Sequence, residues 1–318
     1  MDFPKTKPHI DSGQTAIIIC TKNGGLFIED QLESIKNQTY SEFDIYIAEN
    51  NSSDDTLEKI YKFKKNNPDI NCILSNGDDG FFSNNFINLV KSINKDYKYY
   101  AFCDQDDVWL DFHLNRGINH LKKYDVNAPC LVCSSTILIN AKGRHIGNSK
   151  IFSKSPSFQN ALVQSIAGGN TMIFNKGAFN LLKNLNIHNN NVPSHDWMLY
   201  ILVTAYGGKV VYEKNPSVCY RQHSSNIIGS NTGFIAFCKR VKLALEGSWK
   251  KWTKVNLSLL LKQNDLPIQS KNIIDDFYQL HSSKNIFKKL FLLKKLGLYR
   301  QSFLGNINLV LAVLINKI

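Results

Sequence analysis

No GxGxxG follows the first apolar run of this 318-residue chain, and no GxxxxGK[ST] occurs in it. The first absence disfavours a dinucleotide site and the second excludes a P-loop. Met1 to Gln14 is polar and lacks the apolar centre of a signal peptide. The late apolar run Ile307 to Ile315 is too short to span a bilayer as a lone helix. Cysteines are few and odd in number, seven in all. Cys130 and Cys133 form one CxxC within the run Cys130 to Ile139, without a second pair or a nearby His cluster. That disfavours a zinc site and predicts buried strand thiols. A reducing, cytoplasmic compartment is expected.

Net charge is nearly absent from most of the chain. Residues 1–235 carry 23 Lys+Arg against 22 Asp+Glu, whereas residues 236–318 carry 15 against 4. Nearly all of the net charge of +12 therefore belongs to the C-terminal quarter. This predicts a near-neutral body over 1–235 and a basic, apolar, helical region over 236–318. Basic segments attract nucleic acid or anionic membrane surfaces. Here Lys288, Lys289, Lys294 and Lys295 alternate with Phe and Leu, which favours lipid over nucleic acid. The helical wheel is not clean, because Leu292 and Leu296 fall on the lysine side. A tail packed on the body, with exposed lysines, is the alternative.

What is present in the first hundred residues is a strand-then-helix rhythm. Ala16 to Cys20 reads as a buried strand, followed by a helix with Phe27, Ile28, Leu32 and Ile35 on one face. Phe43 to Ala48 is a second strand, and Ser52 to Thr56 supplies capping residues and first-turn acids for a helix through Phe63. Cys72 to Leu74 and Tyr99 to Cys103 are the third and fourth strands, with a helix around Phe86 to Ile93 between them. Repeated βα units imply a mostly parallel, Rossmann-like α/β sheet with ligands at the carboxyl ends of its strands. Thr21, Asn23, Glu49, Asn50, Asn51, Ser53, Asp104 and Asp106 gather on that edge.

Asp104, Asp106 and Asp107 follow the fourth strand within Asp104-Gln-Asp-Asp-Val-Trp109. Acids this close repel one another unless a cation or donors hold them. Mg²⁺ typically takes one or two carboxylates and completes its shell with substrate phosphates. The segment therefore suits a metal-bound diphosphate, or else a solvated acidic turn capping a helix that begins near Asp111. Farther on, Ala167-Gly-Gly-Asn-Thr171 is a glycine turn entering a strand over Thr171 to Phe174. Asp196 opens an apolar helix that runs to about Ala205, where the helix dipole favours its carboxylate. His195 beside it either orients a substrate or fills a turn. Tyr220-Arg-Gln-His-Ser-Ser-Asn226 concentrates Arg221, suited to phosphate oxygens, and His223, suited to a metal.

Taken in order, Thr21-Lys-Asn-Gly, Asn51-Ser-Ser-Asp-Asp-Thr, Asp104-Gln-Asp-Asp-Val-Trp, Gly168-Gly-Asn-Thr, His195-Asp-Trp and Tyr220-Arg-Gln-His resemble glycosyltransferase family 2. The likeness covers roughly residues 14–228 and is nearest to the bacterial rhamnosyltransferase-like branch of O-antigen and capsule synthesis. Each motif is weak alone; six in the right order are strong. The resemblance implies a GT-A fold, a nucleotide-sugar donor (dTDP-rhamnose or a UDP-hexose), Mg²⁺ or Mn²⁺, and inversion at the anomeric carbon. It places Thr21, Asn23, Glu49, Asn50, Asn51 and Ser53 around the nucleotide. Asp104 and Asp106 match the DxD pair, with Asp106 the direct metal ligand and Asp104 on the donor. Gly169 and Asn170 would line the donor sugar, and Asp196 would be the catalytic base. Arg221 would meet the diphosphate and His223 the metal.

One departure stands out. The family usually reads Asp-Asp-Gly-Ser where this chain reads Glu49-Asn50-Asn51-Ser52, which puts the base preference in doubt. The QxxRW signature of processive members is absent, which favours addition of a single sugar. The implied acceptor is a polyprenyl-diphosphate-linked saccharide on the inner face of the cell membrane, with no nucleic-acid partner. Two other readings stay open. An inactive nucleotide-sugar-binding scaffold is motivated by Asn50 and opposed by the intact Asp104, Asp106 and Asp196. A nucleotidyltransferase would need a basic, glycine-rich loop after the first strand, and Thr21-Lys-Asn-Gly-Gly25 is a poor version of one. The sugar, the linkage and the oligomeric state are not legible.

Overall fold

A computed structural model describes residues 14–77, 80–187, 191–223 and 247–318. Ser224 to Asn226 of the Arg221–His223 loop, and the stretch 236–246, lie outside the described residues. The chain opens as β1 (Thr15–Thr21), α1 (Ile28–Lys36), β2 (Phe43–Glu49), α2 (Thr56–Asn66), β3 (Cys72–Asn76), α3 (Phe82–Ser92) and β4 (Tyr99–Cys103). It continues through β5 (Val108–Trp109), α4 (His113–Leu121), β6 (Cys130–Ser134), β7 (Ile137–Asn140), β8 (His145–Asn148) and α5 (Phe158–Ala161). A 3-10 turn (Gly169–Thr171) then leads into β9 (Ile173–Asn175), α6 (Lys176–Lys183), α7 (His195–Ala205), β10 (Lys209–Glu213) and β11 (Val218–Gln222).

Seven strands form the main sheet in the order β10-β6-β9-β4-β1-β2-β3. Its pairings are parallel except that β9 runs antiparallel to both β4 and β6. The apolar runs follow from this placement. Ile17 and Ile19 of β1 enter one core with Ile28, Leu32 and Ile35 of α1, whereas Ala16 and Ile18 enter the other with Phe86 and Val90 of α3 and Tyr200 of α7. A strand covered on both faces must be apolar on both, so it reads as a continuous run rather than an alternation. Each isoleucine so buried contributes roughly 1.5–3 kcal/mol.

Topology creates the cleft. From β1 the chain builds β2 and β3 to one side, then returns to lay β4 on the other side of β1. The loops after β1 and β4 thus diverge at a switch point, where open α/β sheets take their ligands.

A smaller sheet, β5-β11-β7-β8, flanks the cleft. The run Cys130 to Ile139 is split between the two sheets, with Cys130 and Cys133 buried as free thiols in β6. The division falls at Ser134-Ser135-Thr136, where Ser135 N donates to Glu213 O (3.0 Å), Ser135 Oγ to Lys214 O (2.6 Å), and Thr136 N to Ser149 Oγ (2.8 Å). Hydroxylated residues satisfy the backbone there while the chain changes sheets.

The C-terminal region is helical: α8 (Ser248–Leu260), α9 (Ile268–Ser282), α10 (Ile286–Leu296) and α11 (Phe303–Leu314). Leu257, Ile274, Phe277, Leu280, Leu292, Leu296, Leu309 and Val313 join the same buried cluster as Ile18 and Tyr200. Ser270 Oγ donates to Ala205 O at 2.5 Å and Asn160 Nδ2 to Tyr299 O at 3.0 Å. These helices therefore pack on the body. The untidy wheel of α10 has a direct cause: Lys289, Leu292 and Leu296 form its inward face. Lys289 is not the surface lysine expected from sequence. It is 2% exposed, and its Nζ donates to Asn316 Oδ1 at 2.7 Å and Ile318 O at 2.8 Å. The opposite side of α10 and much of α11 expose Phe287, Leu290, Phe291, Phe303, Leu304 and Leu311. Among the described residues no helix is long and apolar enough to cross a membrane.

Candidate active site

The edge expected to hold the nucleotide is a lattice of loop contacts at the ends of β1, β2 and β4. Asn23 and Asn51 both hold positive φ, 50° and 54°, a conformation Asn tolerates better than most residues. Asn23 Oδ1 accepts from Ser53 N (2.8 Å) and Ser53 Oγ (3.3 Å), and Asn23 N donates to Ser52 Oγ (2.8 Å). Glu49 Oε1 accepts from Ser52 N at 2.8 Å, and Asn50 N donates to Thr21 O at 2.9 Å. Asn23, Ser53 and Glu49 thus brace one loop against another. Asn50 is buried against Gly77, where an added Cβ would lie 2.2 Å from Asn50 Oδ1.

Gln105, which sequence reasoning passed over as the middle of the acidic motif, ties this edge to β4. Its Oε1 accepts from Thr21 Oγ1 (2.6 Å) and Lys22 N (2.9 Å), and its Nε2 donates to Lys22 O (3.2 Å). The pattern that could have revealed it is an amide placed between two acids at a strand end facing Thr21.

The acids beyond β4 have separate environments. Asp104 has its carboxyl held well above the usual range, by burial first and then by the charges of Asp107, Asp106 and Asp196. Asp106 Oδ2 lies 2.7 Å from His223 Nε2, and the His223 ring packs on Phe27 with centroids 4.8 Å apart. Asp107 is fully buried. Its Oδ2 accepts from Asn170 Nδ2 (2.5 Å) and its Oδ1 from Arg221 N (2.9 Å). Burial and Asp106 push its carboxyl up to about 8, against the pull of Asn170 and Arg221.

Two residues take other positions than the sequence suggested. Arg221 is buried, and its guanidinium faces protein. Nε donates to Asp106 O (2.8 Å), NH1 to Ala141 O (3.2 Å) and NH2 to Asp30 Oδ2 (2.9 Å), while the group lies over Phe27 at 4.7 Å. It grips the acidic turn from behind; the chemistry that suits phosphate equally suits carboxylate and carbonyl oxygens. Asn170 likewise turns its amide inward to Asp107. Asp30, Phe27 and Asp107 are the partners that sequence reading did not place.

Asp196 sits in the first turn of α7, beyond the Gly168–Thr171 segment. Its Oδ1 accepts from Trp197 N at 2.6 Å and from Ser194 Oγ, and Gly169 N–H also bonds the carboxylate. Burial raises it to about 6 despite these donors. Gly169 must be glycine, because a Cβ there would lie 2.8 Å from His195 Nε2 and 3.3 Å from Asp196 Cβ. His195 is 3% exposed, stacked on Phe86 at 3.9 Å with its edge toward Phe102 at 4.7 Å. Burial lowers it to about 3, so it is a neutral imidazole. It is enclosed beside Asp196 and does not line the cleft.

Asp104, Asp106 and His223 supply carboxylate oxygens and one imidazole nitrogen. Among the described residues no three acidic, His or Cys side chains converge closely enough to cage a metal unaided. That composition fits a hard divalent cation whose shell substrate phosphates complete, and the repulsion that Asp107 and Asp106 exert on Asp104 is what such a charge relieves.

Residues 16–182 match the family described as Glycosyl transferase family 2. The chain is also 30% identical over 245 residues to dTDP-rhamnosyl transferase RfbG of Shigella flexneri, covering 74% of this chain and 83% of that protein. The chain belongs to glycosyltransferase family 2. An uncharacterized glycosyltransferase of Haemophilus influenzae is 28% identical over 110 residues, 35% of this chain and 33% of that protein. Among solved structures, S. aureus TarS 1-349 in complex with UDP-GlcNAc superposes with a TM-score of 0.56 at 14% identity, over 89% of this chain and 80% of that one. Mannosyltransferase PcManGT from Pyrobaculum calidifontis, in complex with GDP-Man and Mn2+, gives 0.54 at 14% identity, over 96% and 81%. At that identity they bear on fold alone, which is GT-A-type α/β. The protein is thus a glycosyltransferase of a rhamnosyltransferase-like kind.

Proposed function

We propose that this transferase moves one sugar from a nucleotide sugar to a hydroxyl of a lipid-linked saccharide, with inversion. The observation that carries the reading is the pairing of Asp196 with the Asp104–Asp106–His223 set. Two groups remote in sequence lie near enough for the Asp196 charge to bear on Asp104. Thr21, Asn23, Glu49, Asn50, Asn51 and Ser53 build the nucleotide edge, and Gly169 and Asn170 the wall beside the donor sugar. Arg221 acts on the diphosphate site through Asp106.

Asp106 and His223 would hold Mg²⁺ or Mn²⁺, with Asp104 on the donor beside them; the ion would offset the charge developing on the departing diphosphate. Asp196 takes the proton of the acceptor hydroxyl as that oxygen attacks the anomeric carbon. The bond from that carbon to the diphosphate breaks, and its electron pair leaves with the diphosphate. Enclosure of Asp196 keeps its basicity near the working pH, as general-base chemistry requires. The similarity to a dTDP-rhamnosyl transferase favours dTDP-rhamnose over a UDP-hexose as donor. It also favours a role in surface polysaccharide, O-antigen or capsule.

The C-terminal region is assigned to the cytoplasmic face of the membrane, where a polyprenyl-diphosphate-linked acceptor would be met. The exposed apolar faces of α10 and α11, flanked by Lys288 and Lys294, support this. The boundary near residue 235 then divides labour and not the hydrophobic core. A screen of nucleotide sugars for Mn²⁺-dependent hydrolysis by the purified protein tests the proposal. Turnover of dTDP-rhamnose is expected, and no turnover of any donor, with intact nucleotide binding, would leave a scaffold in its place.

A further inference from the structure

The carboxylate of Asp107 joins three segments that the chain separates widely. It belongs to the turn that carries Asp104 and Asp106. Its Oδ2 accepts from Asn170, in the 3-10 turn, and its Oδ1 accepts from the backbone of Arg221, in β11. Each contact continues to a group assigned to the reaction. Asn170 adjoins Gly169, whose N–H bonds the Asp196 carboxylate and where an added Cβ would meet His195 and Asp196. Arg221 returns through Nε to Asp106 O and precedes His223, which meets Asp106 Oδ2. Asp107 itself is 0% exposed, so it touches neither donor nor acceptor. A solvated acidic turn would not bury a carboxylate this fully, since an enclosed carboxylate is costly without donors on both oxygens.

We propose that Asp107 is a positioning residue that fixes the acceptor-side base Asp196 relative to the donor-side acids, acting through Asn170 and Gly169. This rests on the reading of Asp196 as base. The clasp works by donor–acceptor polarity: each oxygen of the Asp107 carboxyl group accepts, Oδ2 from an amide N–H and Oδ1 from a backbone N–H. Asp107→Asn keeps the volume and lets its carbonyl oxygen continue to accept from Arg221 N. Its NH₂ then faces the NH₂ of Asn170, so the present contact is lost and is regained only if the Asn170 amide turns over. Adding Asn170→Asp restores a donor–acceptor pair with the polarity reversed.

The experiment compares wild type, Asp107→Asn, and Asp107→Asn with Asn170→Asp. Turnover, affinity for Mn²⁺ with nucleoside diphosphate, and melting temperature are measured for each. The single variant is expected to lose roughly a hundred-fold in kcat, the scale of an ångström-sized misplacement, with nucleotide affinity retained. The swap is expected to recover most of the kcat. Wild-type turnover in the single variant overturns the proposal. So does a swap that regains melting temperature but not turnover, because Asp107 would then be structural only. Nucleotide affinity falling in step with kcat also overturns it, by placing the effect on the donor side. If Asp196→Asn retains full turnover, the base assignment fails instead, whatever the clasp variants do.

Discussion

His223 Nε2 lies 2.7 Å from Asp106 Oδ2 although 117 residues separate them. The contact closes the cleft from the β11 side and makes one unit of two motifs that are individually unremarkable. An imidazole nitrogen and a carboxylate oxygen at this distance are placed to become ligands of a common cation.

Asp106→Asn is therefore expected to remove most turnover and to abolish the Mn²⁺ dependence of nucleoside diphosphate binding, with the melting temperature little changed. His223→Ala should weaken the same metal-dependent binding by a smaller factor. Isothermal titration with and without Mn²⁺ measures both. Wild-type turnover in the Asp106 variant would show that the metal assignment is wrong.

Asp196→Asn separates chemistry from binding. The rate should fall on the order of a hundred-fold or more, the usual share of a general base. Donor affinity should hold, because the nucleotide edge is built by other loops. Equal losses in rate and donor affinity would make Asp196 a donor ligand or a helix cap.

The pH profile follows from the same residue. Burial raises Asp196 to about 6, and a base must be ionised, so kcat/KM should rise with pH toward about 6 and level off above it. The groups facing it do not obscure that limb. His195 is lowered to about 3 and stays neutral, the Cys133 thiol is raised above its usual range, and the Asp104 carboxyl is raised by burial and by the neighbouring Asp107 and Asp106. The stability sign is the opposite of a salt-bridged aspartate. The folded pKa lies above the unfolded 3.8, so this contribution is full below 3.8 and is lost as pH rises through about 6. At pH 8 the ionised, enclosed carboxylate costs roughly 3 kcal/mol. Metal-free Asp196→Asn should accordingly melt above wild type at pH 8 and close to it at pH 4. Calorimetry at the two pH values checks the stability sign, and a wild-type rate profile that stays flat from pH 5 to 8 would overturn the base assignment.

Membrane docking is best probed by substitution. Removing α10 and α11 would strip Leu292, Leu296, Leu309 and Val313 from the shared core, so a truncated chain should unfold as well as detach. Phe287 and Phe291 are 80% and 65% exposed, and Phe287→Glu with Phe291→Glu should end sedimentation with anionic vesicles while leaving donor hydrolysis and melting temperature intact. Salt should weaken wild-type binding only in part. Each exposed lysine contributes roughly 1 kcal/mol at an anionic surface, whereas each phenylalanine contributes roughly 1.5–3 kcal/mol when fully buried and is not screened. Lys289→Ala should destabilise the fold, since Lys289 anchors Asn316 and Ile318. Unchanged vesicle binding by the double Phe variant would remove these helices from the interface.

By itself the sequence determined the repeating βα units, the edge on which the polar loops gather, and the placement of Asp196 at the start of α7. These are local matters. Apolar runs, capping residues and strand-end acids leave their mark within a few neighbouring positions, and β4 and α7 run where the periodicity puts them. Only the tertiary structure decided which polar groups face the cleft. Arg221 and Asn170 carry the chemistry of ligand-binding residues, yet their donors turn inward to Asp30, Asp106 and Asp107. Lys289 has the pattern of a surface charge and is buried by the docking of α10. The division of Cys130 to Ile139 between two sheets was equally hidden, because one apolar run serves either sheet. In each case the deciding partner is far away in the chain, and a donor without its acceptor in view reads the same whether it awaits a substrate or a carboxylate of its own fold.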